Sequence, residues 1–530
     1  MEIYLDANAT TPVLAAAARA ALQAMEDDFG NPSSVHSTGL KARALIDGVR
    51  ARAARLLHTG AGRLVFTSGA TEGIQTAVLS ALHALRGRSD VDCVLYGATE
   101  HKAVPEALKH WNELLGLKLE LRVIPVDSQG RHSLEFIREH APRAGLVCTM
   151  AANNETGVIS DLAGIQAALG GLPSGPPGGF PGGFPGFWLV DGVQALGKLP
   201  LALAQTRIDY SPFSGHKLYA PKGIGMLYVR EGAPFTPLMA GGGQEGALRS
   251  GTENMAGIAA LGAVLAALED GVSFRSHAQL AVLRRQLAQV LLETFPELVF
   301  NAPLEATLPT TINFTVPGVP SRLLQDLFDA AGVRVSGGSA CGAAKAMPSY
   351  VLEAMGLPDW QAAGAVRLSI GPAADQALVD EACKRIRACG AALREHGPQH
   401  GALCDNPGAL PAAIGDFQII SGAELTGFLR ANPQAVLVDV REAYENALPL
   451  PAQMQSLSVQ AVPLACLQSA APEWLAKPTP LLFFCRSGNR SRQAAQALAA
   501  MGHAQCWSLA GGLALLPEKN DCAPDPALYV

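Results

Sequence analysis

Apolar and polar residues alternate in two patterns along the first 390 residues of the chain. Short apolar runs such as RLVFTS, DCVLYG, AGLVCTM and FWLVDG are separated by Ala- and Leu-rich stretches such as LAAAARAALQAM. The first pattern is typical of buried strands and the second of helices. Their alternation predicts an α/β domain with a largely parallel sheet.

A shorter series of the same kind comes after a break in the pattern. Residues 391–416 are rich in Gly, Pro, His and Asn, which predicts a linker. From Phe417 to Val530 the alternation resumes, with strand-like runs (AVLVDV, PLLFFC) and a helical stretch (SRQAAQALAAMG). We therefore expect a first unit at residues 1–390 and a small second α/β domain at residues 417–530.

One low-complexity segment interrupts the first series. SGPPGGFPGGFPGF, residues 174–187, consists of Gly and Pro with repeated Phe. Such a composition does not form regular helix or strand, so we expect a surface loop. Its phenylalanines could contact a partner, or the insertion could have no function.

Composition narrows the class of protein. The 530 residues carry a net charge of -6, which gives no indication of a nucleic-acid or anionic-membrane partner. The ten cysteines follow no disulfide or metal spacing and the N-terminus lacks a signal segment, so we expect a reduced, cytoplasmic protein without a metal site. The apolar run that starts at Ala256 is shorter than the roughly 20 residues of a membrane span and predicts a packed helix.

A polar turn after one predicted strand carries a candidate cofactor lysine. In SPFSGHKLYAP, Lys217 follows Ser214 and His216. Its amine could form a Schiff base with an aldehyde cofactor, while the hydroxyl and the imidazole bind a phosphate. In WLVDGVQALGK, Asp191 ends a strand, where it could pair with a pyridinium nitrogen, and Gln194 could donate to a ring hydroxyl.

Three further strand ends carry candidate ligands. TSGATEG opens a helix after the strand LVF, so the amides of Ala70 and Thr71 could hold a phosphate, although an ordinary helix N-terminus would look the same. His101 could stack on a ring and move protons, and Asn154 follows another strand. Because ligands bind at the carboxyl ends of strands in α/β sheets, these residues and Lys217 describe a pyridoxal phosphate site.

Two loops carry candidate reactive thiols. SGGSACGAAKAMPSY has one thiol, Cys341, without the apolar neighbours of a core cysteine or the pairing of a zinc ligand, and it suits a mobile nucleophile. A loop cysteine without a function is the alternative. PLLFFCRSGNRSRQAAQAL places Cys485 between a strand and a helix, where helix amides and arginines would favour a thiolate and hold an anionic sulfur. The residues of this second loop are Cys485, Arg486, Ser487, Gly488, Asn489 and Arg490.

The first unit resembles the IscS/NifS-type cysteine desulfurases, which have the aspartate aminotransferase fold, fold type I of the pyridoxal phosphate enzymes. Nine motifs occur in the order of that family: YLDANATTP, FGNPSSVH, FTSGATEG, TEHKAV, NNETGV, VDGVQ, FSGHKLYAPKGIG, LRSGTEN and GGSAC. The resemblance implies a large domain with a mainly parallel sheet at about residues 15–255. It also implies a small α/β domain made of the N-terminus and about residues 256–390.

The resemblance also implies roles in binding pyridoxal 5'-phosphate. Lys217 would hold the cofactor, Asp191 and Gln194 would contact its ring, and His101 would stack on it. The phosphate contacts would be Thr71, Ser214, His216 and, from the other subunit of a homodimer, Thr252.

The family's chemistry gives Cys341 its role. Asn154 and Arg367 would hold the carboxylate of L-cysteine, and Cys341 would take the sulfur, leaving alanine and a persulfide. The chain departs from the family pattern at Gly246, Ala247 and Gly342 and in the insertion at 174–187.

Residues from about 417 to 515 resemble a single rhodanese domain, through VLVDVREAYE, CRSGNRS and SLAGGL. This resemblance implies that Cys485 carries a persulfide and that Asp439 and Arg441 are mainly structural. Four residues separate Cys485 from Arg490, whereas related dual-specificity phosphatases have five, which favours a pocket of the size of sulfur. The rhodanese family motif GHIPGA is absent between residues 446 and 462.

The favoured hypothesis is a fused desulfurase and sulfurtransferase in which Cys341 passes sulfur to Cys485, within a subunit or across a homodimer. Cys485 would then supply an acceptor protein or small acceptor, for iron-sulfur clusters, thio-cofactors or tRNA. Two alternatives stay open: a second domain that only docks a partner, and a different pyridoxal phosphate reaction. Cys404 as a relay is a further alternative.

Overall fold

The computed structural model describes residues 2–170, 184–337, 348–397 and 415–516. In the first unit the strands are β1 (Ile3–Tyr4), β2 (Arg63–Thr67), β3 (Cys93–Gly97), β4 (Glu120–Ile124), β5 (Ala144–Met150), β6 (Phe187–Asp191), β7 (Tyr210–Ser214), β8 (Gly225–Val229), β9 (Val299–Phe300), β10 (Thr311–Thr315), β11 (Val333–Arg334), β12 (Ser336–Gly337) and β13 (Val366–Ser369). Its helices are α1 (Ala15–Glu26), α2 (Ser37–Leu57), α3 (Ala70–Ala84), α4 (Ala103–Leu114), α5 (Leu134–His140), α6 (Leu162–Ala168), α7 (Met255–Glu269), α8 (His277–Thr294), α9 (Ser321–Ala330), α10 (Tyr350–Ala354), α11 (Asp359–Gly364) and α12 (Gln376–His396).

The large domain is built on a seven-stranded sheet in the order β2-β8-β7-β6-β5-β3-β4. Strand β8 is antiparallel to both of its neighbours, and the other pairings are parallel. Helices cover both faces, so alternate residues of one strand enter different cores: Trp188 and Val190 pack with α1, α2 and α7, whereas Leu189 packs with α3 and α4. The predicted α/β fold with a largely parallel sheet is confirmed.

The small domain has an antiparallel sheet in the order β12-β13-β10-β9 and a parallel pair, β1 with β11. Helices α8, α9 and α12 share one apolar core with these strands. Helix α7 was expected here, since the small domain was predicted to begin near residue 256. Instead, α7 packs on α1 and α2 in the core of the large domain, and its nine buried residues explain why its sequence is apolar on all sides.

The predicted linker begins later than the sequence indicated. Helix α12 continues through His396, because its buried positions Val379, Ile386 and Leu393 recur every seven residues and keep one face on the small-domain core. Residues 398–414, which include Cys404, lie outside the described residues.

The C-terminal domain has a five-stranded sheet, parallel throughout, in the order β14-β18-β17-β15-β16. Its strands are β14 (Gln418–Ile420), β15 (Val436–Asp439), β16 (Val459–Ala461), β17 (Leu481–Phe484) and β18 (Cys506–Leu509). Its helices are α13 (Leu425–Ala431), α14 (Ala443–Asn446), α15 (Leu467–Leu475) and α16 (Asn489–Ala500). Two apolar cores lie on opposite faces of the sheet, which confirms the predicted second α/β domain.

The Gly/Pro/Phe insertion at 174–187 ends inside the protein rather than on its surface. Residues 171–183 lie outside the described residues, but Phe184 is buried, with its ring 4.4 Å from the guanidinium carbon of Arg207. The same guanidinium donates to the carbonyl of Phe184 at 2.9 Å, and Phe187 begins β6. The surface-loop prediction is therefore wrong for these last residues, because Phe184 covers a buried cation.

A buried polar network joins the N-terminal segment to both domains of the first unit. The side-chain amide of Asn8 donates to Thr311 of the small domain at 2.9 Å, and its backbone amide donates to the Ser369 hydroxyl at 3.0 Å. From the large domain, the Lys198 amine donates to the Gln194 side chain at 2.6 Å and to the Asn8 side chain at 3.5 Å. Burial, together with the nearby cations, lowers the pKa of Lys198 to about 7.

No helix in the described part of the chain is long and apolar enough to cross a membrane.

Replacing Lys198 by Met should change how unfolding depends on pH. In the folded chain the pKa of Lys198 is about 7, against an ordinary value of 10.5. As the pH falls from about 10 to 7, the unfolded chain binds a proton that the folded chain does not, so wild type loses stability through this residue and Lys198→Met does not. The free energy of unfolding of the variant minus that of wild type should therefore be larger, in favour of the folded variant, at pH 7 than at pH 10.

Denaturant unfolding of the cofactor-free protein at both pH values measures this difference. The exposed lysine of α2 provides the control: Lys41→Met should shift stability equally at both pH values. A Lys198→Met difference that does not change with pH would contradict the prediction.

Candidate active site and second cysteine loop

A cavity of about 430 Å³ opens at the carboxyl ends of the strands of the large sheet. The structure brings together at its wall ten residues that the sequence proposed as ligands: Ala70, Thr71, His101, Asn154, Asp191, Gln194, Ser214, His216, Lys217 and Arg367. They come from both domains, because Arg367 lies on β13 of the small domain. The strand-end argument therefore selected residues of the large domain that meet at the cavity, whereas Arg367 was implied only by the family resemblance.

The fold explains how the cofactor-type groups meet at this edge. Asp191 is the last residue of β6, and Lys217 lies in the short turn directly after the neighbouring parallel strand β7. Helix α3 begins at Ala70 beside them, with Gly69 at its N-cap position, so its first amides lie at the cavity wall. Amine, carboxylate and helix N-terminus are thus held by three adjacent backbone elements.

The N-terminal segment fixes the turn that carries Lys217. The Lys217 amine donates to the carbonyl oxygens of Asn8 at 2.8 Å and Ala9 at 2.7 Å. The amide of Thr11 donates to the His216 carbonyl at 2.9 Å, and the Thr11 hydroxyl accepts from the amide of Tyr219 at 2.6 Å. The turn is therefore bound on both sides of the lysine.

Burial is the main cause of the pKa shifts of two groups in the cavity, Asp191 and His101. Burial raises the pKa of Asp191, although the Val193 amide donates to its carboxylate at 2.9 Å. Burial also lowers the pKa of His101, and Lys217 lowers it further. The amide of Ala103 donates to His101 Nδ1 at 3.2 Å, so the neutral imidazole carries its proton on Nε2.

Lys198 is a residue of this region that the sequence reasoning did not select. It follows Gln194 by four residues, and its amine donates to the Gln194 side-chain oxygen at 2.6 Å. This contact orients the Gln194 amide, since the oxygen is bound by Lys198 and the nitrogen is left as the donor, 3.3 Å from the Asn8 carbonyl. Lys198 follows the strand end at Asp191 by seven residues and Gln194 by four, and this closeness in sequence was the available signal.

Arg367 and Asn154 provide polar atoms that lack hydrogen-bond partners. Arg367 is buried and donates to Asp6 at 2.6 Å and to the Asn154 carbonyl at 2.9 Å. Within the described residues its Nε and the side-chain oxygen of Asn154 are buried without a hydrogen-bond partner. Because buried polar atoms are normally paired, a polar ligand fits here.

The groups around the cavity fit pyridoxal phosphate. The amine of Lys217 suits the aldehyde of the cofactor, the carboxylate of Asp191 suits its ring nitrogen, and the N-terminus of α3 suits its phosphate. Ser214 and His216 lie at the same wall.

The two remaining predicted residues of the first unit are Thr252 and Cys341. Thr252 lies in a separate cavity of about 250 Å³ and is exposed. Cys341 lies in 338–347, outside the described residues, and Gly337 at the end of β12 is the last described residue before it.

The second cysteine loop surrounds its thiol with backbone amides. The Cys485 sulfur accepts from the amide of Gly488 at 3.1 Å and from the amide of Ser491 at 3.5 Å. The Ser491 hydroxyl lies 3.7 Å from the same sulfur. Ser487 and Asn489 are exposed. The predicted arrangement of helix amides around the thiol is present.

The segment SLAGGL and the residue after it form backbone hydrogen bonds to this loop. The amide of Leu513 donates to the Cys485 carbonyl at 2.8 Å, and the amide of Ala514 donates to the Arg486 carbonyl at 2.9 Å. A Cβ on Gly512 would lie 2.1 Å from the Cys485 carbonyl oxygen, so only glycine fits there.

The two loop arginines are held by carboxylates rather than directed at the thiol alone. Arg490 donates to Glu445 at 2.5 and 2.9 Å, and Arg486 lies 3.2 Å from Asp326 of the small domain. Asp439 and Arg441 form a fully buried pair at 2.8 Å beside the sheet, in agreement with a structural role.

Family comparisons cover both units. Residues 3–381 match the aminotransferase class-V family, and residues 423–516 match the rhodanese-like domain. The cysteine desulfurase of Sinorhizobium fredii is 36% identical over 401 residues, which are 75% of this chain and 98% of that protein. The cysteine desulfurase of Gluconacetobacter diazotrophicus is also 36% identical over 401 residues, 75% of this chain and 95% of that protein.

Solved structures give the same fold. A NifS-like protein aligns with a TM-score of 0.62 and 30% identity over 73% of this chain and 98% of that chain. A NifS-like protein from Rickettsia africae aligns with a TM-score of 0.61 and 27% identity, over 73% of this chain and 98% of that chain. These matches end before the C-terminal domain, which the rhodanese-like match covers. The chain thus belongs to the aminotransferase class-V family as a pyridoxal phosphate-dependent cysteine desulfurase, and it carries a rhodanese-like domain at its C-terminal end.

Proposed function

We propose that the chain is a sulfur relay in which the desulfurase unit loads Cys341 from L-cysteine and the rhodanese-like domain receives this sulfur on Cys485. The observation that carries the proposal is the amide-lined Cys485 loop, with the sulfur 3.1 and 3.5 Å from two amide nitrogens. A domain that only docked a partner would have no need of amides directed at a thiol.

In this proposal Lys217 anchors the cofactor, and Asp191 stabilises a positive charge on the ring nitrogen. When bound, pyridoxal phosphate supplies an electron sink that labilises bonds at the amino acid α-carbon. His101 would stack on the ring, and Gln194 would present its amide nitrogen to the ring oxygen, because Lys198 binds its side-chain oxygen. The first amides of α3, with Thr71, Ser214 and His216, bind the phosphate.

Arg367 and Asn154 orient L-cysteine by binding its carboxylate. Asp6 pairs with the Arg367 guanidinium, whose Nε is left as a donor for the carboxylate. The side-chain oxygen of Asn154 is an acceptor, so Asn154 would bind the carboxylate through its side-chain amide nitrogen. The Cys341 thiolate then attacks the substrate sulfur, so that an S–S bond forms and the substrate C–S bond breaks. The electron pair of the broken bond stays with the carbon skeleton, which takes up a proton and leaves as L-alanine.

The proposal extends to partners. Thr252 is exposed and outside the main cavity, which agrees with a contact made from the second subunit of a homodimer. The final acceptor is a protein or small molecule of iron-sulfur cluster, thio-cofactor or tRNA thiolation chemistry in the cytoplasm. Each of these acceptors takes sulfane sulfur, so the loaded Cys485 serves any of them.

Replacing Lys217 by Ala should remove the covalent anchor of the cofactor. Reduction of the cofactor-loaded wild type with borohydride, followed by peptide mass spectrometry, should place the pyridoxyl adduct on Lys217. In Lys217→Ala that adduct should vanish, and alanine formation from cysteine should fall roughly 10³-fold or more, since the lysine also moves protons. Lys109→Ala, on the exposed face of α4, is the control and should keep both properties. An adduct on another lysine of wild type would overturn the assignment.

Mapping sulfur on the thiols after one equivalent of L-cysteine should distinguish a relay from a docking domain. One equivalent supplies one sulfur per chain, so in wild type this sulfur should be found on Cys341 in part of the chains and on Cys485 in the others. In Cys341→Ala neither position should carry it. In Cys485→Ala the sulfur should stay on Cys341. Cys506 is an internal control, because burial raises its pKa to about 12 and keeps it an unreactive thiol. Sulfur on Cys341 alone in wild type would show that the second domain only docks a partner.

A further inference from the structure

Lys198 is a buried amine whose hydrogen-bond partners are neutral. Its side chain is 6% exposed, and it donates to the side-chain oxygens of two amides, Gln194 and Asn8. The charged groups that act on it are two further cations, Lys217 and Arg367. Burying an ammonium group among neutral acceptors and other cations costs stability. This cost indicates that Lys198 serves the site rather than the fold.

The contacts of Gln194 fix its side-chain amide in one orientation. The Lys198 amine donates to its oxygen at 2.6 Å, and its nitrogen donates to the backbone carbonyl of Asn8 at 3.3 Å. A carbonyl oxygen can only accept. An amide turned by half a rotation would set its oxygen against this carbonyl and its N–H groups against the Lys198 amine, so both contacts would be lost.

The fixed amide keeps one donor for a ligand. A side-chain amide nitrogen carries two N–H groups, of which one is directed at the Asn8 carbonyl. Gln194 lines the cavity of about 430 Å³ together with Lys217 and Asp191. The second N–H is therefore available to an acceptor in this cavity, and the ring oxygen of pyridoxal phosphate is such an acceptor.

The turn after β6 and the junction of the two domains hold Lys198 in place. Gly197 has a φ of +72°, and a Cβ there would lie 2.7 Å from a methyl carbon of Leu218, so only glycine fits directly before Lys198. On the other side, Asn8 accepts from the Lys198 amine at 3.5 Å and donates to Thr311 of the small domain at 2.9 Å. The amine therefore has little freedom to leave Gln194.

We infer that Lys198 is a positioning residue that acts through Gln194: it keeps an N–H donor on the ring oxygen of the cofactor. As a result, the Lys217 nitrogen loses its proton more easily once the cofactor is bound to it. The inference rests on the cofactor site proposed above and adds a residue to it. The ring oxygen beside that nitrogen gains negative charge when the proton leaves, and a hydrogen-bond donor stabilises the more negative form. The other titratable or charged groups that interact with Lys217 or Lys198 are Asp191, His101, His216 and Arg367.

A pH titration of the cofactor absorption band tests this role without any substrate. The protein is loaded with pyridoxal phosphate, and the pH midpoint of the band is measured in wild type and variants. In Lys198→Met the midpoint should rise by roughly half to one pH unit, the size expected for one lost hydrogen bond. Lys41→Met, at an exposed position of α2, is the control and should keep the wild-type midpoint. A wild-type midpoint in Lys198→Met would overturn the inference.

A double-mutant cycle separates positioning from charge and packing. Gln194→Ala should raise the midpoint by itself, and Gln194→Ala with Lys198→Met should raise it no further. If Lys198 acted directly through its charge or its packing, its shift would add in full to that of Gln194→Ala, and the positioning role would be wrong. Lys198→Leu passes through the same cycle, so a methionine that packs badly does not decide the result.

Failure of the cofactor assignment itself would look different. In that case borohydride reduction would leave wild type without a pyridoxyl adduct on Lys217. If only the role of Lys198 is wrong, wild type keeps this adduct and a pH-dependent band, and the variants fail to show the expected pattern of midpoints.

Discussion

The active site depends on one constraint, which is that the half-buried ammonium group of Lys217 needs oxygen acceptors. Lys217 obtains them from the carbonyls of Asn8 and Ala9, in the segment that passes from the small domain to the large one. Asn8 is in turn held by Thr311 and Ser369 of the small domain. Because the same few residues satisfy the lysine and join the domains, the position of the reactive amine is tied to the relative placement of both domains. A shift of either domain would break the hydrogen bonds that Asn8 makes to Thr311 and Ser369, which favours the observed arrangement of the two domains.

Cys485 and the acid-base groups of the cavity are controlled by different physical means. Cys485 is fixed: two backbone amides at the start of α16 face its sulfur, and Gly512 lets the supporting turn approach its carbonyl. An anion site of this kind can hold a persulfide through backbone amides, while both loop arginines are engaged with carboxylates. In the desulfurase unit Asp191 and His101 lie at the edge of the large sheet, where burial raises the pKa of Asp191 and lowers the pKa of His101.

Sequence reasoning located the residues that backbone rules place, and it missed those whose roles depend on distant side chains. Lys217, Asp191 and His101 were found because carboxyl ends of parallel strands meet at one edge of a sheet. The partner of Arg486 could not be found in this way, since Asp326 belongs to another domain. Lys198 was overlooked because its role comes from Gln194 and Asn8 together, and only the folded chain brings Asn8 there. Phe184 was predicted to lie in a surface loop because it belongs to a low-complexity segment. Nothing in the sequence indicated that its ring covers the Arg207 guanidinium. The C-terminal end of α12 and the placement of α7 could be determined only from the packed core.

The position of the rhodanese-like domain against the small domain restricts access to Cys485. Cys485 is fully buried in this arrangement, so a sulfur donor or acceptor reaches it only when the mouth of the loop opens. Tyr444 of α14 and Leu448 just after it give the contact an apolar anchor in the small-domain core, while the mouth of the loop is held by the ion pair of Arg486 with Asp326 at 3.2 Å. Asp326 and Asp329 also have Arg322 and Arg334 as partners within their own domain, so release of Arg486 leaves neither carboxylate without a counter-ion. The contact at Arg486 can therefore open at low cost while the apolar anchor holds the two domains together.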